Sequence, residues 1–222
     1  MKCFLSKVCV FLIFLSKTAY AENFNVDYNV YVSGIKIGKF NWSLEIEENK
    51  YKTEINLENS GFVSAVYSFN GNYKSSGTFY NGKFQSSQYQ QKWVTKKQKK
   101  IIEMSFDDYL IKLFQDPLEK EVARLNLYSL FQYCDPVTSF VNILNGESEA
   151  KTIDGRRVYV MKKVGTNKKG ALTIEIKKYK NIWADHNKND LKKIEFHLVE
   201  GNFLPESIKI YFKKRVFGLK KI

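Results

Sequence analysis

Residues 40–58, "FNWSLEIEENKYKTEINLE", alternate apolar and polar side chains on both sides of a Glu-Glu-Asn-Lys break. Phe40, Trp42, Leu44 and Ile46 share one phase, with Asn41, Ser43, Glu45 and Glu47 in the other. Beyond the break, Tyr51, Thr53, Ile55 and Leu57 alternate with Lys52, Glu54, Asn56 and Glu58. A strand sends successive side chains to opposite faces, so a period of two predicts a hairpin with one dry face and one wet face. Parallel strands buried on both sides read as continuous apolar runs, which makes this pattern antiparallel.

The same period recurs outward in both directions. It runs through Val26, Tyr28, Val30 and Val32, then Leu172, Ile174 and Ile176, then Ile194, Phe196 and Leu198, then Ile208, Ile210 and Phe212. "SGIKIG", "YNGK", "GTNKKG", "DHNKND" and "EGNFLP" supply Gly and Asn for the turns between. Together these signals predict about eleven strands. So many one-sided strands must cover one another, by curling or by folding into a sandwich. The expected fold is mainly β, a curved antiparallel sheet forming a barrel or half-barrel.

"YCDPVTSFVNILNG", residues 133–146, breaks the period. Asp135 is a good N-cap, and Pro136 at the first helical position lacks an N–H that would be unpaired there anyway. Val137, Phe140, Val141 and Leu144 then form one apolar stripe, and Asn145-Gly146 suits the C-terminal turn. A helix this short is unstable alone and must dock on the sheet, as a lid over a cavity or as a plug in a filled core. Cys134 stands just before the cap, where a helix N-terminus lowers a thiol's pKa. Its reactive reading needs a histidine, yet His186 falls in a polar loop and His197 on a wet strand face, so Cys134 reads as a brace for the helix start. One cysteine and two separated histidines do not make a zinc site. No Gly-x-Ser-x-Gly elbow or phosphate loop occurs, and no nucleophilic or acid–base set is visible, so neither an enzyme nor a cofactor is expected.

The N-terminus begins Met1-Lys2, runs apolar from Val8 to Leu15, and presents Ala19 and Ala21 at the small-x-small spacing of a signal-peptidase site. Residues 1–21 are expected to be removed, taking Cys3 and Cys9 with them and leaving a single β-rich domain over 22–222. The expected location is the periplasm, as a soluble, monomeric protein without a lipid anchor. The formal charge of +13 includes Lys2, Lys7 and Lys17, and their removal leaves +10. Arginines are confined to Arg124, Arg156, Arg157 and Arg215. Without Arg forks for bases and phosphates, nucleic acid is not expected as a partner. The densest basic run is "KWVTKKQKK", residues 92–100. It reads either as a contact to anionic membrane headgroups or as lysines guarding an exposed sheet edge.

Several segments together resemble one family: "YNVYVSGIKIGKFNWSLE", "ENSGFVSAVYSFNGNYKSSG", "DPVTSFVNIL", "IDGRRVYVM" and "EGNFLPESIKIYF". They are similar to the domain-of-unknown-function 3108 family of exported proteobacterial proteins, with Asp135-Pro136 and Asp154-Gly155-Arg156-Arg157 carrying most of the likeness. The resemblance implies periplasmic location and a curved sheet over nearly the whole mature chain, and no activity. In a strand, Arg156 and Arg157 would point to opposite faces. One is expected to reach the interior and pair with a carboxylate such as Asp135, or to contact an anionic ligand head. The function expected from the sequence is to bind or carry an apolar, lipid-like envelope ligand inside the sheet. The alternative is an envelope interaction protein with a filled core that acts through its basic surface.

Overall fold

A computed structural model describes residues 21–60, 68–107, 109–167, 170–183 and 190–222. The expected leader, with Ala19, lies outside the described residues, as does His186; Ala21 opens the first strand opposite Glu47. Thirteen strands are present among the described residues, against about eleven expected. The first seven are β1 (Ala21–Val32), β2 (Ile35–Glu47), β3 (Lys50–Asn59), β4 (Phe69–Tyr80), β5 (Lys83–Thr95), β6 (Lys99–Phe106) and β7 (Ile111–Asp116). The last six are β8 (Glu149–Ile153), β9 (Arg157–Thr166), β10 (Leu172–Asn181), β11 (Leu191–His197), β12 (Ser207–Phe212) and β13 (Arg215–Lys221). Between them lie a 3-10 turn, Leu127–Leu130, and helix α1, Pro136–Leu144.

All thirteen strands belong to one antiparallel sheet in the order β7-β6-β5-β4-β3-β2-β1-β13-β12-β11-β10-β9-β8. Each half is an up-and-down meander, and β1 pairs with β13 to join them, as in Val30 opposite Leu219. The sheet is curved and not closed. Its two free edges, β7 and β8, follow one another in the chain, and residues 117–148 fill the seam between them.

Inward positions of the alternating strands are buried as the pattern requires: Tyr28, Trp42, Leu44, Tyr51, Ile174 and Phe196. Leu198 departs from the expectation, since β11 ends at His197 and Leu198 is exposed. The alternation fades in the β4–β5 hairpin because its inward positions include Gly71, Ser75, Gly77 and Ser86. At Gly77 the two strands shift register, and a Cβ there would overlap the Gln85 carbonyl. Such an irregularity bends the sheet locally.

The two ends of the sheet meet at Gly155, in the turn between β8 and β9. Its carbonyl accepts from Gln115 Nε2 of β7 and from Trp183 Nε1, each at 3.1 Å. Gly155 has φ +82°, and a Cβ would stand 2.5 Å from Ile102 Cγ2. The substitution Gly155→Ala combines a left-handed backbone with overpacking. It is expected to cost about 2–3 kcal/mol in urea unfolding; a change inside ~0.5 kcal/mol, typical of a surface site, would mean the seam is loose.

Candidate functional site

Helix α1 answers the break in the strand pattern. Asp135 caps it: Oδ1 accepts from the backbone N–H of Val137 at 2.9 Å and of Thr138 at 3.0 Å. Oδ2 accepts three hydroxyls, from Ser75 at 2.7 Å, Ser86 at 2.6 Å and Thr138 at 2.6 Å. Ser86 Oγ in turn accepts the Asp135 N–H at 3.1 Å. Thr138, whose one proton goes to the carboxylate, accepts from Tyr51 OH at 2.5 Å. Burial first, then the Asp135 charge, pushes the Tyr51 phenol far above its ordinary range. Asp135 is fully buried. A buried charge normally needs a cation or many dipoles, and here five donors supply the dipoles. The carboxylate is saturated and has no lone pair aimed at open space.

Farther along, Asn142 imitates a strand partner. Its Oδ1 accepts the Phe84 N–H at 2.9 Å and its Nδ2 donates to the Phe84 carbonyl at 2.8 Å. Asn145 Nδ2 adds a bond to the Gly82 carbonyl at 2.6 Å. The β4–β5 hairpin therefore grips the helix by its polar side. The expected stripe of Val137, Phe140, Val141 and Leu144 is only part of the buried surface. Val137 and Val141 are buried, but so are Thr138, Ser139, Asn142 and Ile143, while Phe140 and Leu144 are half-buried. The physical reason is position: α1 packs against β4 and β5 on one side and β8 and β9 on the other.

Aromatic rings pack beneath it. Phe140 stacks on Trp42 at 5.5 Å between ring centroids and meets Phe196 edge-on at 5.5 Å. Tyr51, Phe84 and Phe79 continue the aromatic packing. Of the lid and the plug, the geometry is that of the plug.

Cys134 forms a lone parallel bridge with Thr152. Its N–H reaches the Lys151 carbonyl, and its own carbonyl takes the Ile153 N–H, both at 2.9 Å. It thus covers part of the β8 edge. Burial first and the Asp135 charge second raise its thiol pKa, opposite to the lowering that a helix N-terminus alone would give. These bonds brace the start of the helix against β8.

The arginine pairing is corrected. Neither guanidinium reaches Asp135. Arg156 sits in the turn before β9, not in the strand, and pairs with Glu119 at 3.1 Å. Arg157 lies 3.7 Å from Asp154 and over the Tyr179 ring at 5.9 Å. Asp154 Oδ1 also accepts the N–H groups of Arg156 and Arg157. Both arginines hold the seam: the turn at Gly155 takes Arg156 out of the strand, while Arg157, the first residue of β9, stacks on Tyr179 with its Nε buried. Desolvation raises the Asp154 carboxyl, outweighing the Arg157 charge beside it. The folded state therefore holds that proton more tightly than the unfolded chain does. Asp154 ionised weakens the fold, and the penalty disappears as pH falls through its raised pKa. Asp154→Asn, which keeps the Oδ1 acceptor, is expected to be more stable than the native protein at pH 7. The difference should shrink in denaturation at pH 4; a constant difference would contradict the assignment.

The two best-formed hollows open on the outer face, not beneath α1. One, of about 590 Å³, mixes Glu45, Glu54 and Glu103 with Lys52 and Lys74. The other, of about 420 Å³, gathers Lys177, Lys192, Lys193, Lys213, Lys214 and Arg215 around Tyr211, against Glu175. Lys177 pairs with Glu175, Lys193 with Glu195 and Lys213 with Asp190. Burial alone would raise the Glu195 carboxyl, but hydrogen bonds from Lys193 and Tyr211 outweigh it and hold Glu195 below its ordinary value. Lys192, Lys214 and Arg215 have no ion-pair partner among the described residues. None of these outer residues was singled out by the sequence, since wet-face lysines look alike along a strand. Among the described residues no three of His, Cys, Asp and Glu gather as metal ligands.

No curated protein matches the chain. A solved structure similar to it is a β-barrel-like protein of the domain of unknown function DUF1849 from Brucella abortus. The two are 10% identical over 89% of this chain and 95% of that one, with a TM-score of 0.48. A family match begins at residue 24 and ends at residue 183, so "EGNFLPESIKIYF" lies outside it and the likeness is shorter than the sequence suggested. That span, from β1 through α1 and the Gly155 turn to the end of β10, covers well over half of the molecule, and the chain belongs to the DUF3108 family, described as proteins of unknown function.

Proposed function

We propose that this is an exported, periplasmic envelope protein that acts by binding rather than catalysis, presenting its basic outer surface to an anionic partner. The observation that carries this reading is the packing of Phe140 between Trp42 and Phe196. An apolar ligand carried inside the sheet would need the space those rings occupy, and the usual ligand site is a hollow of a few hundred cubic ångströms lined by apolar groups. The two hollows described above are lined mostly by charged and polar residues and face outward. Asp135, the most deeply buried carboxylate among the described residues, is saturated by structural donors, which supports a structural role for it.

The test offers the purified protein two anions, vesicles containing phosphatidylglycerol and soluble polyphosphate, over a range of salt. Binding to at least one is expected, and it should weaken as salt shortens the Debye length toward about 8 Å at 0.15 M. Indifference to both, or binding that ignores salt, would overturn the proposal.

A further inference from the structure

The run "KWVTKKQKK" takes a defined place in the fold. It is the end of β5, the turn 96–98 and the start of β6. The turn is built rather than loose: Thr95 N–H donates to the Gln98 carbonyl at 2.9 Å, and Thr95 Oγ1 accepts from Gln98 N–H at 3.1 Å. The guard reading from the sequence applies to little of this run. β5 and β6 are interior strands, paired with β4 and β7 on their outer sides, and the edge left for these lysines to guard is the short stretch of β6 before Ile101, where pairing with β7 begins.

What they surround is aromatic. Trp93 packs edge-on against Phe69 at 5.0 Å and Tyr73 at 6.3 Å. These rings continue the inner face of β4 and β5 past the filled core, and Trp93 is 37% exposed there. Val94, on the opposite face, is 36% exposed. Both residues stay in the ladder, paired with Gly71 and Asn70 of β4 and with Lys100 and Lys99 of β6, so the sheet is open to solvent on both faces at this level. Around it Lys92, Lys96, Lys97, Lys99 and Lys100 are all exposed. The acids nearest in register are Asp116, opposite Ile101, and Glu58, across β4 from Val94.

We propose that the β5–β6 tip docks on an anionic lipid bilayer, with Trp93 and Val94 at the headgroup level and the lysines over the lipid phosphates. This rests on the reading that the basic outer surface is the working surface, and it assigns that surface a place and a partner. Charge complementarity selects the bilayer: five lysines against two acids attract an anionic plane. An exposed indole beside them suits the apolar-to-wet boundary where Trp is enriched. A soluble polyanion would use the lysines but leave Trp93 and Val94 without a role. Each lysine near such a surface changes partitioning by roughly fivefold.

The experiment measures co-sedimentation of the purified protein with phosphatidylcholine vesicles containing about 30% phosphatidylglycerol, where each lysine contributes. Three proteins are compared: native, the tip triple variant Lys97→Glu/Lys99→Glu/Lys100→Glu, and the control Lys192→Glu/Lys214→Glu/Arg215→Glu. The variants carry the same net charge, and all six positions are on the surface. The tip variant is expected to lose at least about tenfold in partitioning, and the control under about threefold. In parallel, brominated lipid should quench the native protein's tryptophan emission, and Trp93→Phe should abolish that quenching. Equal losses in the two triple variants, or quenching that persists in Trp93→Phe, would overturn the tip assignment while leaving the outer-surface reading intact. Native protein that ignores these vesicles but binds polyphosphate would do the same. Failure to bind either anion would overturn both.

Discussion

Replacing Asp135 by alanine is expected to lower the unfolding free energy by roughly 3–5 kcal/mol, the range for breaking a buried charged network by removing one partner. Losing the cap alone would cost about 1 kcal/mol. The remainder comes from Ser75, Ser86 and Thr138, whose hydroxyls would lose their shared acceptor in a place water does not reach. Asp135→Asn should fall between, because its Oδ1 still accepts from Val137 and Thr138 while its amide opposes the three hydroxyls. Urea unfolding followed by circular dichroism checks the order. Equal losses for alanine and asparagine would locate the effect in the hydroxyl cage. A loss of about 1 kcal/mol for alanine would reduce Asp135 to an ordinary cap.

Phe196→Ala is expected to cost about 3–5 kcal/mol as a large-to-small core substitution. Phe196 is fully buried and lies directly under Phe140. Apolar cavities made in this way stay dry and take up benzene or xenon. The variant should therefore bind such a probe in a titration, and the native protein should not. A native protein that binds the probe would have room under α1, and the helix would be a lid after all.

Much of this fold was legible because its strands carry one-sided alternation. β2 and β3 show it in nearly every residue, and α1 announces itself by Asp135, Pro136 and the spacing of its apolar positions. The strand count fell short where inward positions are small or polar. Ser75 and Ser86 break the period because they face a carboxylate, and that carboxylate lies 60 and 49 residues away in the chain. No local pattern reports a contact of that range. The arginines misled for a related reason: Asp154-Gly155 turns the backbone just before β9, so strand phase does not apply to Arg156. The lysine run was visible, but its meaning depended on whether β5 and β6 were edge strands, which only the pairing decides.

The union of β1 and β13 has a consequence for how the molecule assembles. Tyr28 pairs opposite Lys221, its hydroxyl reaches the Pro205 carbonyl at 2.6 Å, and the Ile222 N–H bonds the Asp27 carbonyl at 3.0 Å. Every other strand pairing among the described residues is with a sequence neighbour, so each meander zips through local connections. This one closes the loop that runs from β1 to β13 through all the other strands described, and long-range closure carries an entropic penalty that slows folding. The two halves can grow independently as they emerge, but the interface between them waits for β13.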